Sequence, residues 1–229
     1  MNDILIGLLA VFVTFIVFFA AKTLSQKFPH PLTLPVLTST IVLVIGLLLF
    51  RIPYETYFIG GKWIEGFLGP AVVALAYPLY QHRKILREYT FPILIGTFFG
   101  SVLGVTSSLV LGKWIGLDHI LLLSVLPKSV TSPIAMDIAA SIGGSPTLAA
   151  VLVMVAGIGG AVMGHSIFRW VRIDHHLAKG LGMGSASHAI GTARSMENDL
   201  REGAASTVAM VLSAIFTSVI TPIIVAVLL

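Results

Sequence analysis

Residues 118–143 read DHILLLSVLPKSVTSPIAMDIAASIG, an apolar segment cut in the middle by PKSVTSP at 127–133. The sequence on either side is greasy enough for a bilayer interior. A break carrying Lys128, Ser129, Thr131 and Ser132 at that depth leaves a charge and unpaired peptide groups where lipid cannot solvate them. Such breaks persist where they line a cavity or are buried in protein. This segment therefore decides both the fold class and where to look for function.

Composition sets the frame. Of the 229 residues 56% are hydrophobic and 10% charged, and the mean hydropathy is +0.99. Soluble domains carry about 25% charged residues. The chain reads as an all-α, polytopic integral membrane protein, a single domain over 1–229. Its first apolar stretch, Ile4 to Ala21, follows Asp3 rather than a basic cluster, and no cleavage site follows it. That predicts a retained helix rather than a signal peptide. With no cysteine in the chain, disulfides and thiolate chemistry are excluded. The net charge of +4 sits in short loops between spans, which is a topology signal and calls for no nucleic acid.

Stretches able to cross or nearly cross a hydrocarbon core of roughly 30 Å are Ile4–Ala21, Leu34–Phe50, Phe67–Tyr80, Phe91–Leu111, Leu148–Phe168 and Ala204–Leu228. Two more are interrupted: Ile120–Ile142 at PKSVTSP, and Leu177–Ala193 at GLGMGSAS. Seven to eight membrane segments are expected. Lys22 and Lys27, residues 82–88 (net +2) and residues 169–179 (net +2) form the basic loops, whereas residues 194–202 sum to −1. Placing the basic loops in the cytoplasm puts the N-terminus outside and 194–202 on the outer side. It also favours 118–143 entering and leaving on one side as a re-entrant hairpin. The alternative is a discontinuous spanning helix.

An internal repeat is suggested by Leu86-Arg87-Glu88 and Leu200-Arg201-Glu202, 114 residues apart and each preceding a long span. The repeat-related parts would be about 67–111 and 182–228, inverted relative to each other as in many transporters. Gly96, Gly100 and Gly104, and again Gly160 and Gly164, form stripes at four-residue spacing. Such stripes let membrane helices approach closely, and plain packing is the expectation for both.

Two constellations could carry chemistry. Thr131, Ser132 and Pro133 stand at the entrance of a half-helix starting at Ile134. Hydroxyls and a proline suit a helix N-terminus, whose free amides favour an anion. Lys128 adds a positive charge, and with Ser129 this end suits a small carboxylate; alternatively the lysine snorkels to an interface. The second stretch, Gly180 to Arg194, follows glycine breaks with Ser185, Ser187, His188 and Thr192, and ends in an arginine fork suited to a carboxylate. His188 and Asp137 are the candidates for a coupling proton, an imidazole titrating near neutrality and a carboxyl that burial would raise. His165, at the end of a glycine stripe, reads as a helix-contact residue, and His175 and His176 as loop residues. No spacing completes a metal site, no cofactor is implied, and no hydrolase motif stands in a proper context.

PKSVTSPIA (127–135), GSPTLAAVLVMVAGIGGAVMGH (144–165), AKGLGMGSASHAIGTARSMENDLREGA (178–204) and AYPLY (76–80) together closely resemble the LrgB/CidB family. These bacterial membrane proteins are labelled holin-like or antiholin-like, tied to murein hydrolase control and cell lysis, and are often encoded beside a small LrgA/CidA-type partner. A plastid relative translocates glycolate and glycerate, and bacterial relatives are linked to pyruvate uptake. The resemblance implies a carrier of small monocarboxylates in the bacterial cytoplasmic membrane, not an enzyme. Its expected partners are a small organic anion, the lipid bilayer, the LrgA/CidA-type subunit and a second copy of the chain. The rival expectation is a holin-like pore or its regulator. In the carrier reading Lys128, Ser129, Thr131, Ser132, Ser187, His188, Thr192 and Arg194 hold the substrate, and His188 or Asp137 carries a proton.

Overall fold

Local chemistry punctuates the helices. Asp118 accepts a hydrogen bond from the Leu121 amide at 3.1 Å, Ser145 from Leu148 at 3.4 Å and Asp199 from Arg201 at 2.7 Å, each capping the helix it precedes. Pro133 and Pro146 occupy first-turn positions where a missing amide costs nothing. The computed structural model describes residues 2–28, 33, 35–67, 70, 73–74 and 76–229, and among them there are helices and no strands. The helices are α1 (Asn2–Lys27), α2 (Pro35–Leu49), α3 (Tyr54–Glu65), α4 (Ala76–Gln81), α5 (Arg83–Glu88), α6 (Thr90–Trp114), α7 (His119–Val125), α8 (Ser132–Ser141), α9 (Pro146–Trp170), α10 (His176–Asn198) and α11 (Leu200–Leu228). Four of them, α1, α6, α9 and α11, are long and apolar enough to cross a bilayer. Of the expected Phe67–Tyr80 segment, residues 68, 69, 71, 72 and 75 lie outside the described residues, and 76–80 fall in α4.

The chain forms two compact units, Met1–Ala71 and Val72–Leu229. In the first, α1 packs on α3, where a Cβ on Gly60 would meet the Gly7 carbonyl oxygen at 2.5 Å and Thr14 Oγ1 bonds the Tyr57 hydroxyl at 2.8 Å.

In the second unit, the opening segment is a re-entrant hairpin. The Ser145 amide donates to Ser124 Oγ at 2.8 Å, so the chain leaving α8 returns to the chain entering through α7. A discontinuous helix crossing the membrane would hold those residues far apart. Hairpin 1 thus consists of α7, a break at 126–131 and α8. Its outgoing arm runs back along α6, with Leu122 against Gly112 and Ser129 against Gly104. Ser124 is fully buried, and Ser124→Ala would leave the Ser145 amide without this acceptor at a cost of about 1–3 kcal/mol. The expected result is a lower midpoint of thermal unfolding in detergent, by roughly 2–4 °C per kcal/mol for a chain of this size.

The second interrupted segment is also a hairpin. Gly184 and Thr192, four residues either side of His188, both lie against Ser206 and Met210 of α11. Gly180 and Met196, eight residues either side, both lie against the 202–206 turn. His188 itself has φ 41° and ψ −134°, a backbone region that favours glycine, and there the chain reverses. α10 is therefore two arms, hairpin 2, rather than a crossing. Asn198 returns to the end of the unit where His176 began. This corrects the placement of 194–202: that segment lies at the same end as basic residues 169–179, not opposite them.

Helix directions follow. Ser101 Oγ meets Ser213 Oγ at 3.1 Å, Lys113 Nζ donates to the Leu228 carbonyl at 2.7 Å, and Ile93 packs with Ala205 and Val208. α6 and α11 thus run side by side in the same direction, so the LRE triplets mark parallel helices and the pairing of 67–111 with 182–228 is not an inversion. α9 runs the other way. A different correspondence emerges at an offset of 56 residues: KWIGLDH (113–119) matches RWVRIDH (169–175). Both end their helix identically. Gly116 has φ 72° and Arg172 φ 58°, while Leu117 donates to the Gly112 carbonyl at 2.9 Å and Ile173 to the Phe168 carbonyl at 2.8 Å. This is the left-handed C-terminal cap, used once before each hairpin.

Candidate functional site

The tips of the two hairpins line one cavity of about 490 Å³, within the range of small-molecule sites. Hairpin 1 supplies Lys128 and Ser129. Hairpin 2 supplies Leu181, Gly182, Ser185, Ala186 and Ser187. Gly96, Gly100 and Gly104 of α6, with Ala156 and Gly160 of α9, complete the wall. The glycine stripe on α6 does serve packing, since a Cβ on Gly96, Gly100 or Gly104 would touch Leu181, Ser185 or Ser129, and it also forms one side of the cavity. Depth follows from helix position. Gly104 and Gly160 each stand 14 residues after the first residue of a 25-residue helix, so the cavity sits about halfway along both spans at 1.5 Å per residue.

Lys128 is half-buried, and among the described residues its amine reaches only Ser129 Oγ, at 3.5 Å. No carboxylate lies within 4 Å of it among the described residues. Ser185 Oγ is buried without a hydrogen bond among the described residues, as is Thr131 Oγ1 at the cap of α8. Buried hydroxyls normally find partners, and Ser185 faces the cavity. Ser187 is buried at the tip, and a Cβ on Gly160 would collide with its hydroxyl. The result is a positive charge and hydroxyl donors around a water-sized or larger space, which suits a small anion.

The remaining expected site residues are placed elsewhere. Ser132 begins α8, outside the cavity wall. Thr192 turns to α11, bonding Ser206 Oγ at 2.8 Å. Arg194 is already paired, with Glu197 at 2.9 Å. His188 points its Nε2 at the Val153 carbonyl, 2.9 Å away on α9. Asp137, expected to be buried, is exposed on α8. His165, read as a packing residue, meets Glu202 Oε1 at 2.9 Å, and Glu202, counted as a loop charge, is 1% exposed. Ser185 and the α6 glycines gain importance that their spacing alone did not reveal.

A family model described as LrgB-like matches residues 14–227. The chain belongs to the LrgB-like family. It is 43% identical over 225 residues to the uncharacterized protein YxaC of Bacillus subtilis (strain 168), covering 98% of each chain. To YwbG of the same organism it is 39% identical, over 93% of this chain and 94% of that one. The holin-like protein CidB of Staphylococcus aureus (strain Mu50 / ATCC 700699) is 33% identical over 225 residues, 98% of each. No solved structure matches the chain. This family match and the long apolar helices make the LrgB-like chain a membrane protein.

Proposed function

We propose that the chain is a carrier of small monocarboxylates of the pyruvate, lactate, glycolate or glycerate class, working in the bacterial cytoplasmic membrane with a small LrgA/CidA-type partner. The observation that carries this reading is the mid-span cavity. There Lys128, unpaired with any described carboxylate, stands over the same space as Ser129, Ser185 and Ser187. A carboxylate accepts from an ammonium and several hydroxyls at once, and such charge-assisted bonds are the strong ones. Glycines on α6 let a compact acid approach the backbone, while the cavity size leaves room for accompanying water. No covalent step is needed.

Two features support alternation of access. Hairpin 1 enters beside the end of α6, and hairpin 2 beside the end of α9, which runs oppositely. The unit of α6 with hairpin 1 and the unit of α9 with hairpin 2 are then inverted copies offset by 56 residues, and their tips meet where inverted repeats place substrate. Thr192 and His188 take structural parts, tying hairpin 2 to α11 and α9, while Arg194 pairs within its own arm.

The holin-like name of CidB favours a second reading, an unselective pore or its regulator. Proteoliposomes separate the two. Saturable uptake of labelled pyruvate, lactate or glycolate, with competition among them, supports the carrier; leakage of a large trapped dye with no saturation overturns it. Because Arg194 is only partly buried and already paired with Glu197, Arg194→Ala is expected to keep initial uptake within about threefold of the parent.

A further inference from the structure

The two hairpins are closed at their bases by different chemistry. Hairpin 1 is tied by neutral groups, the Ser145 amide on Ser124 Oγ. Hairpin 2 is tied by a buried carboxylate. Glu202 Oε1 on α11 lies 2.9 Å from His165 Nε2 of α9, a hydrogen bond in which either partner can hold the proton, and Asn198 Nδ2, at the end of α10, donates to Oε2 at 2.9 Å. One side chain thus holds three helices at the point where hairpin 2 returns. The position 56 residues before His165 is Leu109, buried and apolar, so hairpin 1 has no titratable counterpart.

We infer that the His165–Glu202 pair is a proton-binding site whose occupancy governs the position of hairpin 2. This deepens the carrier reading, because hairpin 2 forms one wall of the proposed anion cavity. With one proton, the pair is neutral overall, whether as imidazolium and carboxylate or as imidazole and acid. Losing it leaves a net negative charge at a carboxylate that is 1% exposed. An uncompensated buried charge costs several kcal/mol, and hydration relieves that cost if the arm of hairpin 2 moves away. The proton is therefore bound where the hairpin is closed and released where its base is wet. Histidine is the side chain that ordinarily titrates between pH 5 and 8.

Other ionisable groups at this end are engaged or farther along the elements. Arg169 on α9 donates to Ser166 Oγ, Arg194 pairs with Glu197 and Arg201 with Asp199. Lys179 on α10 and Arg87 and Glu88 on α5 belong to the same end, where Ile85 and Tyr89 pack with Leu177 and Ala205. His175, which accepts from the Leu177 amide, and His176, stacked on it, belong there too. Hydrogen bonds from Arg201 hold the Asp199 carboxyl down to about 2, so that cap does not titrate in the range tested.

The natural absence of cysteine makes the test direct. Ser195, fully buried on the returning arm, is replaced by cysteine, and its maleimide labelling is followed from pH 5.5 to 8.5. Each rate is normalised to detergent-denatured protein at the same pH. Labelling is expected to rise at least about tenfold over that range, as linkage to a single proton allows, and to stay slow and flat in Ser195→Cys with Glu202→Gln. Leu177→Cys, buried on the outgoing arm, repeats the measurement should Ser195→Cys not fold. A pH-independent rate in the parent pair overturns the inference, as does a pH dependence that survives Glu202→Gln. Labelling reports the hairpin without any transport, so the inference and the substrate assignment fail by different results.

Discussion

Replacing Lys128 by alanine is expected to lower kcat/KM for monocarboxylate uptake by roughly a hundredfold. A hydrogen bond to a charged group contributes about 1.5–3 kcal/mol, and each 1.4 kcal/mol is tenfold. The side chain is placed for that bond: it lines the cavity, and among the described residues its amine has no carboxylate partner and bonds only Ser129 Oγ, at 3.5 Å. Lys128→Gln keeps most of the stem and its packing while removing the charge, so it should resemble alanine. Lys128→Arg restores the charge with a fork that is bulkier than an ammonium, and should recover part of the rate. Packing and electrostatics are thereby separated within one series, with monodispersity in detergent checking that each variant folds. Uptake by Lys128→Ala at the parent rate would remove this lysine from the substrate site.

Legibility of the fold varied with the kind of signal. Membrane class and the long spans were legible because burial in lipid demands an apolar composition that nothing else in the chain imitates. The PKSVTSP break was legible as a re-entrant element because two prolines and a lysine are so costly inside a bilayer. Hairpin 2 was not. Its reversal falls at His188, a residue with no turn signature, while the glycines that precede it serve packing against α11 and α9 rather than the turn. Taking that segment as a crossing moved residues 194–202 to the wrong end and made two parallel helices look inverted. The better correspondence, KWIGLDH with RWVRIDH, was present in the sequence, but its meaning depends on knowing that both close a helix before a hairpin. Lys128, Ser129 and Ser187 were legible as polar groups in an apolar setting. The roles of Arg194 and Thr192 were not, because their partners Glu197 and Ser206 are set by the arm's geometry. Glu202 was the hardest case: a carboxylate beside Arg201 near a helix start looks like any loop charge until its partners His165 and Asn198 are seen.

Gly184→Val is expected to be the most destabilising single substitution in hairpin 2. A Cβ at this position would collide with the Ser206 carbonyl oxygen and stand 2.9 Å from Ala209 Cβ and 3.0 Å from the Met210 amide nitrogen. Two of those obstacles are backbone of a helix and cannot rotate away, so α10 and α11 must separate along their contact. Overpacking of this kind costs about 1–3 kcal/mol even where side chains can adjust. Between membrane helices the cost is not offset elsewhere, since small residues are what allow the close approach that holds them together. Gly159 supplies the control: it lies on α9 with nothing within 4 Å of an added Cβ. Gly159→Ala should be neutral or slightly stabilising, because glycine in a helix interior costs about 1 kcal/mol relative to alanine. The comparison also tests the hairpin itself. A straight helix through His188 would carry Gly184 and Thr192 to different levels of α11, whereas a reversal brings both to Ser206 and Met210. If the reversal is right, Thr192→Val should weaken the same contact by removing the 2.8 Å bond to Ser206, and combining it with Gly184→Val should cost less than the two losses added, since contacts already separated cannot be lost twice. Strict additivity of the two unfolding midpoints, or a Gly184→Val protein that unfolds with the parent, would separate these residues and undo the folded-back arm.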